Sequence, residues 1–183
     1  MGRDLVLEGN CWKFGHNIPT DMITPTRLVF RGLPEMAQHV LESANPEFPR
    51  NVKPGDIIVA GRNFGCSSGR AIAPKAILAT GTAAVVAEFF SRTFYRNGYE
   101  VGLPLIEAPG IHDLAATGDR LRLDIARGTI ENLTSGKSLQ GKRAPEFLLA
   151  MLAAGGLIPL LKSGSKVFSP TSSLTPQKEA PGA

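Results

Sequence analysis

Between Gly61 and Arg70 the chain reads Gly-Arg-Asn-Phe-Gly-Cys-Ser-Ser-Gly-Arg. Two adjacent hydroxyls, Ser67 and Ser68, stand close to the guanidinium of Arg70, with glycines at 65 and 69. An arginine fork grips a carboxylate through two parallel N–H bonds. Glycines let a backbone come close to a ligand. A serine hydroxyl donates to an anion or, once deprotonated, takes a proton as a base. Together these groups suit a small organic acid. The plainer reading is that Ser67 and Ser68 cap a following helix, where serine is favoured.

Two better-known glycine loops do not fit. The segment lacks the Lys-Ser/Thr ending of a P-loop, and its glycine spacing is not the dinucleotide fingerprint. Cys66 has no histidine near it in sequence to activate it and reads as a small buried residue.

The loop has to be positioned by what flanks it. Asp56-Ile57-Ile58-Val59-Ala60 is a continuous apolar run, as in a buried strand. Ile72, Ala73, Ala76, Ile77 and Thr80 share one face of a helix that Gly81 stops. Pro74 requires that helix to begin near Gly69 to Ala71, where first-turn N–H groups have no partner to lose. Ala83–Ala87 is a second buried strand. Strand, loop, helix and strand make a βαβ unit with parallel strands, and the loop leaves a strand's carboxyl end, where open α/β sheets place ligands. The helix start adds free N–H groups and a positive dipole end.

Elsewhere the signals are shorter. Leu5-Val6 and Cys11–Phe14 read as two strands, and Met22–Pro25 as extended because of its proline. A helix opens at Pro34 with Met36, Ala37, Val40 and Leu41 inward, and Asn45–Pro49 ends it. Phe89–Asn97 reads as a helix closed by Gly98, and Val101–Ile106 as an apolar strand or turn. Asp119–Ile125 and Gly128–Thr134 alternate as a hairpin. Ala144–Ala154 is a helix stopped by Gly155-Gly156. Residues 163–183 are rich in Ser, Pro, Thr and Gly and read as a disordered tail.

Composition narrows the chemistry. The 183 residues are 43% hydrophobic and 20% charged, ordinary for a soluble globular domain. No apolar run approaches the roughly 20 residues that span a bilayer, and no signal peptide is evident, so the cytoplasm is the expected location. The net charge of +4 comes from scattered basic residues, and one Trp and two Tyr make no base-stacking platform. Two cysteines, Cys11 and Cys66, cannot alone hold an iron–sulfur cluster or a four-ligand zinc site. His16, His39 and His112 lack metal-ligand spacing. A metal, if the chemistry uses one, belongs to another chain.

Asn63-Phe64-Gly65-Cys66-Ser67-Ser68-Gly69-Arg70 resembles the Asn-Phe-Gly-Cys-Gly-Ser-Ser-Arg-Glu-His signature of the 3-isopropylmalate dehydratase small subunit, the separate form of the aconitase swivelling domain. Phe94-Tyr95-Arg96-Asn97 with Gly102-Leu103-Pro104 is similar to that family's next stretch. Gly15-His16-Asn17-Ile18-Pro19-Thr20-Asp21-Met22-Ile23-Thr24-Pro25 is similar to its Gly-Asp-Asn-Ile-Asp-Thr-Asp and Ile-Ile-Pro motifs. The resemblance runs in order from about Cys11 to Leu160.

It implies an α/β swivelling domain, residues 1–162, with a mixed sheet packed by helices. It implies a hydro-lyase that isomerises 2- and 3-isopropylmalate by dehydration and rehydration in leucine biosynthesis. Ser68 falls on the family's base, and Arg70 on the arginine that binds substrate carboxylate. Ser67 and Gly69 flank them. A large partner subunit would carry a 4Fe–4S cluster, with none on this chain. Tyr95 and Arg96 would pack at that subunit's interface. Substrate choice falls to Leu28-Val29-Phe30-Arg31, where the family often has Tyr-Leu-Arg. Phe30 would face an alkyl-bearing acid, and Arg31 either binds substrate or is a solvated charge.

The signature is not copied whole. Ser67 replaces a glycine, Gly69 replaces the second serine, and Ala71-Ile72 replace Glu-His. His16 and Pro19 replace two acidic positions, while Asp21 remains as a turn anchor or a site neighbour. Taking Ser67 as the base breaks the arginine spacing. A hydro-lyase for another hydroxy-diacid (dimethylmalate, citramalate, homoaconitate) and a non-catalytic assembly paralogue both stay open.

Overall fold

Two apolar runs set the architecture. Ile57–Ala60 and Ala84–Ala87 are wholly buried at every position, so both faces of the strands that hold them are covered. These strands, β2 (Ile57–Phe64) and β3 (Ala84–Phe90), pair in parallel across α4 (Ile72–Ala79), as the βαβ reading expects. The computed structural model describes residues 5–164, and the expected tail lies, from residue 165 on, outside the described residues.

The sheet has seven strands in the order β4-β3-β2-β1-β5-β6-β7. β1 (Val6–Lys13) is parallel to β2, and β4 (Leu105–Glu107) is parallel to β3. On the other side β5 (Arg120–Asp124), β6 (Thr129–Asn132) and β7 (Lys137–Gln140) run antiparallel. Leu121, Leu123 and Ile130 point inward and Arg120, Arg122 and Glu131 outward, matching the alternation in sequence. Beyond β7 the chain returns to β4: Lys142 donates from N to Glu107 O at 2.7 Å and from Nζ to Glu107 Oε2 at 2.8 Å. The sheet is therefore curled, and its β4 edge is covered.

The remaining described elements are α1 (Thr20–Ile23), a 3-10 turn (Thr26–Leu28), α2 (Leu33–Ala37), α3 (Glu47–Asn51), α5 (Arg92–Val101), α6 (Ile111–Leu114), α7 (Glu146–Ala154) and α8 (Leu157–Lys162). None of the described helices is long and apolar enough to cross a membrane.

Several sequence expectations are corrected. The two N-terminal strand signals are one strand, β1. Met22 and Ile23 are helical, because Pro25 restricts only Thr24, which is extended at φ −132° and ψ 108°. The helix opening at Pro34 ends at Ala37; Val40 and Leu41 are buried by a turn in which Leu41 takes φ +57° and donates to Ile23 O. The Asn45–Pro49 stretch, expected as an ending, opens α3. β3 runs on to Phe90, and α5 ends at Gly102 in the left-handed conformation. Gly98 lies inside α5 because a Cβ there would stand 2.5 Å from Leu105 Cδ1: the glycine serves packing, not termination.

Candidate active site

The segments leaving the carboxyl ends of β1 and β2 stay paired beyond the strands. Phe14 N donates to Val59 O (2.8 Å), Gly61 N to Gly15 O (3.0 Å) and Asn17 N to Arg62 O (2.8 Å). Gly65 N donates to Ile18 O (2.8 Å) and Thr20 N to Cys66 O (3.0 Å). This pairing carries the start of α1 onto the glycine-rich loop. Thr20 Oγ1 stands 2.6 Å from Ser68 Oγ and 3.4 Å from Ser67 Oγ. Ser67 Oγ donates to Asp21 Oδ1 at 3.3 Å. Four oxygens from two distant segments thus form one chain: Ser68, Thr20, Ser67, Asp21.

The loop is anchored from behind. Ser91, the N-cap of α5, donates from N to Phe64 O (2.9 Å) and from Oγ to Gly65 O (2.6 Å), and accepts from Phe94 N (3.3 Å). Asn97, a buried residue of the same helix, donates from Nδ2 to Gly69 O at 2.9 Å. Beneath lie three aromatic rings: Phe64 meets Phe94 edge-on at 5.2 Å between centroids, and Phe90 stacks on Phe94 at 6.1 Å. Gly65 crosses this floor at φ +76°, where a Cβ would overlap the Phe94 ring. Only glycine meets both requirements.

The serines do not cap α4. That helix has Ala71 at its N-cap with no side-chain bond, and Ile72 as its first residue. The hydroxyls turn toward α1 instead. Pro74 falls in the first turn, as the sequence requires. Ser67 holds φ +76°, a left-handed conformation. Asp21 meets the loop, so the site-neighbour alternative describes its position better than a local turn anchor.

Arg70 is exposed, and its guanidinium makes no ion pair or hydrogen bond among the described residues, which leaves its fork open to an anion beside Ser68. Gly69 is exposed, 2.9 Å from Thr93 Cγ2 at the place a Cβ would take. Cys66 is half-buried rather than buried. Phe30 is 98% exposed, and Arg31 makes an exposed 3.8 Å pair with Glu35, too weak to fix it. No hydrogen bond or ion pair joins Phe30 or Arg31 to the loop. They sit just before α2, which packs on α4. Tyr95 packs on Phe90 and Tyr99, while Arg96 is exposed.

Among the described residues no three His, Cys, Asp or Glu side chains converge as a metal site. His16 and His112 lie ring to ring at 4.7 Å, with His16 Nδ1 accepting from Arg62 N at 2.9 Å. Burial, with Asp119 adding to it, pushes the Cys11 thiol up to about 12.

Sequence reasoning did not single out Thr20, Ser91 or Asn97. Ser91 carries a usable signal, a serine between a strand and a helix. Thr20 and Asn97 lie within stretches similar to the family's motifs, but their roles depend on which segments meet.

Residues 27–109 match the family described as the aconitase C-terminal domain. The chain is 50% identical over 158 residues to the isopropylmalate/citramalate isomerase small subunit of Methanocaldococcus jannaschii, covering 86% of this chain and 94% of that one. It is 45% identical to 3-isopropylmalate dehydratase small subunit 1 of Methanopyrus kandleri, over 89% of this chain and 97% of that one. It is 46% identical to the methanogen homoaconitase small subunit of Methanothermobacter thermautotrophicus, over 84% and 89%. The crystal structure of a 3-isopropylmalate dehydratase from M. jannaschii superposes with a TM-score of 0.82 at 38% identity, over 87% of this chain and 95% of that one.

Proposed function

The chain belongs to the 3-isopropylmalate dehydratase small-subunit family, whose fold is the aconitase C-terminal domain, and on that premise we propose how it acts. It is the small subunit of a two-subunit hydro-lyase of leucine biosynthesis, interconverting 2- and 3-isopropylmalate by dehydration and rehydration. Its large-subunit partner follows from the small-subunit relatives.

The observation that carries this reading is the loop itself: Ser68 Oγ hydrogen-bonded to buried Thr20, two residues from an unpaired Arg70, on an exposed rim. Arg70 binds a substrate carboxylate through its fork. Ser68 takes the proton from the carbon next to a carboxylate, the C–H electron pair becomes the C=C bond, and the hydroxyl leaves from the neighbouring carbon. Rehydration returns the proton from Ser68 and places the hydroxyl on the other carbon. A 4Fe–4S cluster on the large subunit would bind the leaving hydroxyl. The loop is open on one side, as a site completed by another chain requires.

A related alkyl-bearing diacid is the second reading, supported by the isopropylmalate/citramalate isomerase small subunit among the relatives. The test assembles the chain with its large subunit and measures hydration of several unsaturated diacids. Ser68→Ala should abolish turnover and leave the complex intact. Turnover at the parent rate in that variant would overturn the base assignment and leave the assembly role.

A further inference from the structure

Thr20 is 3% exposed, so water does not reach its hydroxyl freely. That hydroxyl has one hydrogen and two oxygen neighbours, Ser68 at 2.6 Å and Ser67 at 3.4 Å. Ser67 gives its own hydrogen to Asp21, an acceptor-only group when ionised. The Ser67 oxygen is therefore left as an acceptor. A hydroxyl buried among such partners must choose between them.

We propose that Thr20 is a positioning residue whose hydrogen switches between Ser67 and Ser68 with the protonation state of Ser68, an inference that rests on Ser68 being the base. When Ser68 carries its proton, it donates to Thr20, and Thr20 donates to Ser67. When Ser68 is deprotonated, Thr20 turns its hydrogen onto the Ser68 oxygen and holds the negative charge. Only a C–O bond rotation separates the two states, and no heavy atom moves. The proton count is unchanged on Thr20, Ser67 and Asp21; the one proton gained or lost is that exchanged between Ser68 and substrate carbon. A hydrogen bond to a charged oxygen is stronger than one to a neutral oxygen, so the switch favours the basic form.

The position of Ser67 is the second observation. A non-glycine residue at φ +76° is disfavoured, and its hydroxyl stands within reach of Thr20 as an acceptor besides Ser68. The loop holds the less favourable backbone together with the hydroxyl that completes the switch.

The test uses the enzyme assembled with its large subunit and reads kcat and KM against pH. Thr20→Val keeps the shape and removes the hydroxyl. It should lower kcat about ten- to a hundredfold, leave KM within about twofold, and displace the rising limb of kcat to higher pH by about one to two units. Thr20→Ser should restore both. Ser67→Gly removes the competing acceptor and relaxes the backbone, and should displace the limb to lower pH. The inference is overturned if the Thr20→Val profile superimposes on the parent's, if Thr20→Ser is as impaired as Thr20→Val, or if Ser67→Gly moves the limb upward. Should Thr20→Val not assemble, Ser67→Gly decides by its sign. An inactive Ser68→Ala beside a parent-like Thr20→Val would overturn the switch alone; an active Ser68→Ala would overturn the base assignment beneath it.

Discussion

Ser67 stands where the family signature has glycine, and its φ of +76° explains why glycine is at home there. The left-handed conformation costs a residue with a Cβ about 1–2 kcal/mol. The sequence shows the substitution but not the angle. It shows Ser68 and Arg70 as chemically able and close together, and that closeness is local. Thr20 is different: its closeness to Ser68 depends on β1 and β2 being neighbours and on their extensions staying paired, which no local pattern reports. The same distinction separates the two cysteines. Cys11 is buried with its thiol pushed up to about 12, and Cys66 is half-buried on the loop. Since the thiolate is the reactive form, iodoacetamide at pH 8 should modify Cys66 in the native chain and Cys11 only after unfolding. Peptide mass spectrometry against time reads this directly, and equal native rates would contradict the burial of Cys11.

At the scale of elements, continuous apolar runs and strict alternation were legible because burial on two faces and on one face leave different periods. The ends were less so. Gly98 looks like a helix stop and is a contact with Leu105; Pro25 looks like a bar to helix and restricts one residue. β7, with the sequence Lys-Ser-Leu-Gln, carries a single apolar side chain, Leu139, so no pattern marks it. Asp56 looks like the first residue of the apolar strand and is instead the pin beneath two strands. Just before β2, it accepts from Trp12 Nε1 and Lys53 N, each at 2.9 Å, and from Asn10 Nδ2 at 3.5 Å. Its removal takes the acceptor away from the half-buried Trp12 indole and from the Lys53 N–H, and leaves the loop before β2 without its pin. Asp56→Ala should cost about 1–3 kcal/mol, read as a lowered urea midpoint, while kcat of the assembled enzyme stays near the parent's, because the residue is at the strands' opposite end from the loop. An unchanged midpoint would mean that those donors find other partners.

For the whole molecule, the parallel half built on β1 to β4 places the loop, and the antiparallel half curls until Lys142 reaches β4. The βαβ unit made the first half legible; the curl depends on a long-range meeting of Lys142 with Glu107 that no local pattern reports. That curl has an electrostatic consequence. Burial raises the Cys11, Tyr95 and Tyr99 side chains above their ordinary values, and the Glu107 hydrogen bond raises Lys142. For the three acids the folded chain keeps the proton longer than the unfolded chain does. For Lys142 the folded chain keeps its charge longer. All four therefore favour the fold fully below their unfolded values, 9.0 for the thiol, 10.0 for the phenols and 10.5 for the amine. That contribution drains away as pH rises above about 9, since stability falls wherever the unfolded state binds fewer protons. Each of the three buried acids adds a slope of at most about 1.4 kcal/mol per pH unit, while the exposed Lys142 is screened by water. The melting temperature should therefore hold level with respect to these groups between pH 6 and 8 and fall steadily from pH 9 to 11. Tyr99→Phe should flatten part of that fall, although losing the Tyr99 hydrogen bond to Leu105 O lowers its starting point. A melting temperature that stays level or rises from pH 9 to 11 would show that Tyr95 and Tyr99 are not closed off from water as the packing of β4 and α5 requires.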